Sequence, residues 1–286
     1  MAWAELSDCR CYYEVLGTGE PLILIPGLAA TTRMWDPVAG DLGQFFSVIL
    51  FDNRGMGRSI ALRKPTTLAD LASDIVELLD HLQLDRVHVL GVSLGGVIAQ
   101  RVAIDHPSRV DRLVLVSCAD TFSPYLRQMS LLLAHTLRRF PREMFVRTME
   151  LLATAPEFLD ANTDLVEERV KTKSGSHVSA RAVGNQLRCL AASEVPAGYF
   201  KITAPTLVVA GEFDPIIPSC YSKQMADKIP ASEYFLVRGA GHNPLVDHPQ
   251  AVIPRVVEFL QESHQREETN VWRGAMERYA PHLGGV

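Results

Sequence analysis

Short, unbroken apolar runs recur along this chain, and each is followed by a turn and then by a stretch whose apolar residues return every three or four positions. The runs at Pro21 to Ile25, Ser47 to Phe51, Val110 to Ser117, Pro205 to Ala210 and Ser232 to Val237, with another opening at Val87, read as strands. The continuous apolar character of Pro21 to Ile25 suits a strand covered on both faces. Arg10 to Leu16 is a further short strand, ended by the turn cluster Gly17-Thr18-Gly19-Glu20. Between Thr67 and Leu84, Leu68, Leu71, Ile75, Leu78, Leu79 and Leu82 step by threes and fours while Asp70, Asp74, Glu77 and Asp80 take the other side. This is an amphipathic helix, and Thr67 with Asp70 approximates a capping box at its start. Other helices are expected over Met34, Trp35, Val38 and Leu42, capped by Thr31 or Thr32, up to about His106, from Pro218 to Lys228, and from Pro249 to Glu262. Strands alternating with helices predict an α/β fold with a parallel, doubly wound sheet.

The alternation stops at Thr121 and resumes after Pro196. In between, the pattern offers only helices: after Ser123-Pro124, after Pro141, near Asp164 to Lys173 and from Ser179 to Ala192. The block is rich in Leu, Met and Phe, so it reads as a helical cap inserted between two strands of one sheet. The expected organisation is a core formed by residues 1–120 and 197–264, a cap over 121–196, and a polar C-terminal tail over 265–286 that holds a last short helix or frays.

Candidate chemistry gathers where strands end, the place at which open parallel sheets bind ligands. Gly91-Val92-Ser93-Leu94-Gly95 lies between an apolar run and a helix-compatible segment. A G-x-S-x-G at such a junction is a nucleophile elbow, a turn too tight for a side chain at either glycine that lifts the serine Oγ clear of the sheet. A serine hydroxyl needs a base to remove its proton, and an imidazole suits that task near neutral pH. His242, in Gly239-Ala240-Gly241-His242-Asn243-Pro244, is the candidate base. A carboxylate must then fix its tautomer. Asp214 stands at a strand end upstream of the histidine, with Asp120, just past Val110 to Ser117, as its rival. The backbone N–H groups of Leu28 and Leu94 are the candidate oxyanion donors. Trp35, Met129, Leu133, Met149, Leu187 and Ile216 are the candidate substrate-binding side chains, most of them on the cap. Asp247 and His248 are expected to start the helix after Pro249. Asp52-x-Arg54-Gly55-x-Gly57 lacks a P-loop's lysine and spacing, so a tight turn with an Asp–Arg pair is the expectation there.

With Met34-Trp35-Asp36-Pro37, the Asp52 to Ser59 segment, Gly91 to Gly96, Gly211-Glu212-Phe213-Asp214 and Gly241-His242, the chain resembles the α/β-hydrolase superfamily over nearly its whole length. Within it the likeness is to the branch of 3-oxoadipate enol-lactonases, small carboxylesterases and cofactor-free haloperoxidases. The resemblance implies the triad Ser93, Asp214 and His242, no cofactor and no metal, and hydrolysis of small carboxylic esters or lactones. Many relatives have His-Gly at Pro26-Gly27, a change that bears on pocket shape. Asn243 stands where carbon–carbon hydrolases have tryptophan, and serine stands where dehalogenases and epoxide hydrolases have aspartate. A small-molecule receptor and a perhydrolase on the same fold are the contrasting possibilities.

Composition narrows this further. The 286 residues, 47% hydrophobic and 21% charged, suffice for one large core with an insertion. A net charge of −5 without a basic tract argues against a nucleic-acid partner. No apolar stretch approaches a membrane span and no signal-peptide pattern opens the chain, so a cytoplasmic monomer or homodimer is expected, acting on a small-molecule ester or lactone. Five cysteines, odd in number and scattered, suit reduced thiols. From Thr121 to Ala197, ten Lys/Arg face eight Asp/Glu. If Arg127, Arg181 or Arg188 reached under the cap, it would pair with a substrate carboxylate, as an anionic enol-lactone requires.

Overall fold

In the computed structural model, residues 2–61, 66–120, 123–176, 178–192 and 198–262 are described. The expected tail helix within 265–286 lies outside them. The first strands are β1 (Ala2–Glu5), β2 (Cys9–Leu16), β3 (Glu20–Ile25) and β4 (Phe46–Phe51), with helix α1 (Ala39–Leu42) before β4 and the two-residue β5 (Ile60–Ala61) after it. Then come α2 (Leu68–His81), β6 (Val87–Val92), α3 (Leu94–Asp105) and β7 (Val110–Val116). The block up to the next strand is helical throughout: α4 (Pro124–Arg139), α5 (Arg142–Ala153), α6 (Pro156–Ala161), α7 (Thr163–Ser174) and α8 (Ala180–Ala192). The sheet resumes with β8 (Thr206–Gly211), α9 (Ser219–Ala226), β9 (Ser232–Val237) and α10 (Pro244–Asp247), and α11 covers 249–262.

The strands form one sheet in the order β1-β2-β4-β3-β6-β7-β8-β9, with β5 on β2. Pairing is parallel from β4 through β9 and antiparallel around β2. Alternation along each strand sorts the core into two layers. Ile23, Ile25, Val89, Leu113, Leu115 and Val208 face α2, α3 and α9. Leu22, Leu24, Leu90, Val92, Val114, Val116 and Val209 face Trp35, Leu42 and the inward side of α11 at Val252, Val256, Phe259 and Leu260. Both faces of the inner strands are covered, whereas the edge strand β9 buries only Val237.

The capping box of α2 is present in full: the Thr67 N–H donates to Asp70 Oδ2 at 2.7 Å, and the Asp70 N–H to Thr67 Oγ1 at 3.2 Å. The helix expected over Met34 to Leu42 is instead a 3₁₀ turn, Thr32–Trp35, followed by the one-turn α1, and Thr31 makes no side-chain cap. Pro37 lies between them and lacks the N–H that a continuous helix needs. Arg54 also departs from expectation. Its partner is Asp74 of α2, gripped at 2.6 and 2.7 Å in a buried fork, while Asp52 accepts from the N–H groups of Thr32 and Arg58. Asp74→Ala would leave the Arg54 guanidinium buried without its carboxylate. We expect a stability loss of about 3–5 kcal/mol, read from the denaturant midpoint.

Near the starts of three parallel strands, the buried His88 ring lies between Glu20 (Nε2 to Oε2, 3.1 Å) and Asp111 (Nδ1 to Oδ2, 3.4 Å). This cluster is at the end of the sheet opposite the one where the candidate chemistry stands. Among the described residues, no helix is long and apolar enough to cross a membrane.

Candidate active site

The Gly91 to Gly95 turn takes its shape from close packing. A Cβ at Gly91 would stand 2.3 Å from the Gly95 carbonyl oxygen, and one at Gly95 would stand 2.0 Å from that of Ile25. Ser93 between them has φ 55° and ψ −118°, a left-handed backbone that a non-glycine residue adopts only under constraint. The Ser93 N–H donates to the Val116 carbonyl at 2.9 Å, hooking the turn to the end of β7. The side chain is thereby presented at the mouth of the sheet, with α3 starting at the next residue.

Asp214 and His242 come from the loops after β8 and β9. Those loops are bonded to each other, the Phe213 N–H to the Ala240 carbonyl (2.8 Å) and the Gly239 N–H to the Glu212 carboxylate (3.0 Å). Both functional side chains are buried, and His242 Nδ1 meets Asp214 Oδ2 at 2.7 Å. The other carboxylate oxygen, Oδ1, accepts from the N–H groups of Ile216 and Ile217, each at 2.9 Å. With both oxygens engaged, the carboxylate can neither rotate nor withdraw. A carboxylate on Nδ1 places the proton there and leaves Nε2 as the basic nitrogen.

Asp120 is elsewhere. Its Oδ2 accepts from Lys228, and its backbone carbonyl accepts from the Tyr199 hydroxyl at 2.7 Å. Of the two aspartates, it is Asp214 that meets the imidazole.

Ser93 and His242 line one cavity of about 710 Å³ of empty space, its solvent-open part included. Leu28, Leu94, Met129, Leu133, Met149, Leu187 and Ile216 are on its wall. Leu94 is the first residue of α3, where backbone N–H groups have no partner within the helix. Trp35 is not on the wall. It is buried against Val38 and Leu42 below the sheet, because the 3₁₀ turn directs it into the lower core layer. The three cap arginines are also outside: Arg127, Arg181 and Arg188 are exposed, and Arg188 bonds Asn185 of its own helix. Among the described lining residues there is no Lys or Arg, so the cationic contact that an anionic lactone would need is missing there.

Asp247 has a role that the sequence did not disclose. Rather than only starting a helix, its buried Oδ2 accepts from the Gly241 N–H at 2.9 Å and from the Ala155 N–H at 3.1 Å, across 92 positions of chain. The Asn243 N–H donates to the Ala153 carbonyl at 3.2 Å. The cap segment passes so close to the histidine loop that a Cβ at Gly241 would lie 2.7 Å from the Ala155 nitrogen. Two further bonds join the cap to the core: the Ala29 N–H donates to Gln186 Oε1 at 3.0 Å, and the Tyr125 hydroxyl donates to the Pro215 carbonyl.

No cysteine is among the described residues that line the cavity. All five are free thiols, and four are buried. Burial pushes the thiols of Cys11 and Cys118 up to about 12, far from the thiolate form at neutral pH.

The chain matches the model of the alpha/beta hydrolase fold family over residues 20–249. It belongs to that family and is an enzyme of the α/β-hydrolase superfamily. It is 29% identical to the protein named "Putative carbamate hydrolase RutD" of Caulobacter sp. (strain K31), over 87% of this chain and 95% of that one. It is also 29% identical to a poly(3-hydroxyalkanoate) depolymerase of Ectopseudomonas oleovorans, over 86% of each. Among solved structures, a thermophilic esterase of Thermogutta terrifontis superposes with a TM-score of 0.80 at 25% identity, covering 92% of this chain and all of that one.

Proposed function

We propose that this hydrolase cleaves neutral carboxylic esters through an acyl-enzyme on Ser93. The observation that carries the reading is the pairing of a doubly anchored Asp214 with His242 at the edge of an apolar cavity that also exposes Ser93. In this mechanism His242 Nε2 takes the Ser93 proton as Oγ attacks the ester carbonyl. Asp214 holds the tautomer and stabilises the imidazolium. The N–H groups of Leu28 and Leu94 receive the negative charge that develops on the carbonyl oxygen. The imidazolium then protonates the departing alcohol, and a water activated by the same nitrogen releases the acid and restores Ser93.

An apolar wall without a cation favours an uncharged, aliphatic acyl group over a carboxylate-bearing lactone. The likeness to an esterase and to a depolymerase of a polyester supports ester chemistry. The likeness to a carbamate hydrolase supports a second reading, in which the same three side chains attack a carbamate carbonyl.

A fluorophosphonate probe with peptide mapping, followed by a substrate panel, tests the proposal. Labelling is expected on Ser93. The kcat/KM for a neutral aliphatic ester is expected to exceed that for its analogue bearing a free carboxylate, and that for a simple carbamate. No label on Ser93 would remove the acyl-enzyme mechanism; preference for the carboxylate-bearing ester would restore the anionic lactone.

A further inference from the structure

Helix α4 presents Leu126, Met129, Ser130 and Leu133 to the cavity, the spacing of one helical face. Three of these are apolar. Ser130 is the only polar side chain among the described lining residues besides Ser93 and His242.

A serine or threonine inside a helix ordinarily satisfies its hydroxyl by donating to the carbonyl four residues back. The cap follows that rule elsewhere: Thr136 donates to the Leu132 carbonyl at 2.9 Å, and Thr148 to the Met144 carbonyl at 2.8 Å. Ser130 does not. Its hydroxyl has no hydrogen-bond partner among the described residues, although the Leu126 carbonyl occupies the equivalent position one turn away. The Ser130 hydroxyl is thus a half-buried donor and acceptor on the cavity wall that its own helix does not occupy. Alanine or leucine at this position would complete the apolar stripe; serine places a hydrogen-bonding group there instead.

We propose that Ser130 recognises a hydroxyl group on the acyl chain, so that the enzyme acts on hydroxyacyl esters: aliphatic, uncharged, with one hydrogen-bonding oxygen away from the ester carbonyl. The inference rests on the ester-hydrolase reading above. A serine hydroxyl both donates and accepts, which matches another hydroxyl, and the absence of Lys or Arg from the described wall gives a carboxylate nothing to pair with. Ser130 is here a specificity-determining residue. It makes no bond to Ser93, His242 or Asp214, so it selects the chain and leaves the reacting atoms to the triad.

The test compares methyl octanoate with its 3-hydroxy and 7-hydroxy analogues, following acid release by titration, in the natural protein, Ser130→Ala and Ser130→Thr. The quantity read is the ratio of kcat/KM for each hydroxy ester to that for the plain ester. It is independent of how much of a variant is folded. For at least one analogue the natural protein should give a ratio about five to ten times that of Ser130→Ala, the worth of one neutral hydrogen bond, and Ser130→Thr should recover part of it. An equal ratio in the natural protein and Ser130→Ala overturns the proposal while leaving ester hydrolysis intact. Failure of the natural protein to release acid from any of the three esters overturns both readings together.

Discussion

Ser93→Ala is expected to lower kcat on a neutral aliphatic ester by on the order of a thousandfold or more, without unfolding the protein. The elbow is held by backbone contacts: Gly91 against Gly95, Gly95 against Ile25, and the Ser93 N–H on the Val116 carbonyl. None of these uses the serine hydroxyl. Alanine keeps the Cβ and its strained φ of 55°, so the turn and the start of α3 should survive. The thermal midpoint of the variant should therefore stay near that of the natural protein while turnover and fluorophosphonate labelling disappear. Retention of most of the activity would move the nucleophile elsewhere in the cavity.

The second large effect concerns the acid. Asp214→Asn should cost on the order of 10⁴ in kcat, by analogy with the serine-protease triad. An amide can keep Oδ1 on the Ile216 and Ile217 N–H groups only by turning its NH₂ toward His242 Nδ1. Nδ1 must then accept, the ring proton moves to Nε2, and the nitrogen facing the cavity is no longer a base. Asp120→Asn is the matched control, since Asp120 is bound to Lys228 and does not contact the imidazole. Its kcat per folded molecule should change little. The reverse ranking of the two variants would assign the acid to the end of β7.

Features carried by local chemistry were legible in the sequence, and those carried by long-range contacts were not. The inner parallel strand β3 announced itself because burial on both faces favours apolar residues along its length, a signal that the edge strand β9 carries only partly. The elbow could be read because three consecutive constraints, strand, tight turn and helix, leave a mark within ten residues. Asp214 and His242 could be placed because each follows a strand end, even though 28 positions separate them. Trp35 was misread as a wall residue because helical periodicity says which residues share a face, and Pro37 breaks the helix that this periodicity assumed. β1 was not read because its apolar run is only Met1 to Ala4, and at the sheet edge only Ala4 is buried. Arg54 pairs with Asp74 rather than Asp52 because two N–H groups had already claimed the nearer carboxylate. Ser130 left the clearest unread signal: a small polar residue at an inward position of an otherwise apolar stripe.

The cap–core bonds given above fall on the three loops that surround the proposed reaction centre. Gln186 reaches the Leu28 to Ala29 loop, Tyr125 the loop after Asp214, and Ala153 with Ala155 the loop around His242. This arrangement separates the residues of the cavity wall from the residues that attach the cap. Substitutions on the inward faces of α4, α5 and α8 alter the wall and can change which acyl chain fits, without touching those three attachments. A cap exchanged for one from another member of the family would have to bring an amide acceptor near Ala29, a phenol near Pro215 and a free backbone N–H for Asp247. A graft lacking them would cover the cavity and still leave the loops out of register. New specificities are therefore more accessible to this scaffold by point changes within its own cap than by trading caps.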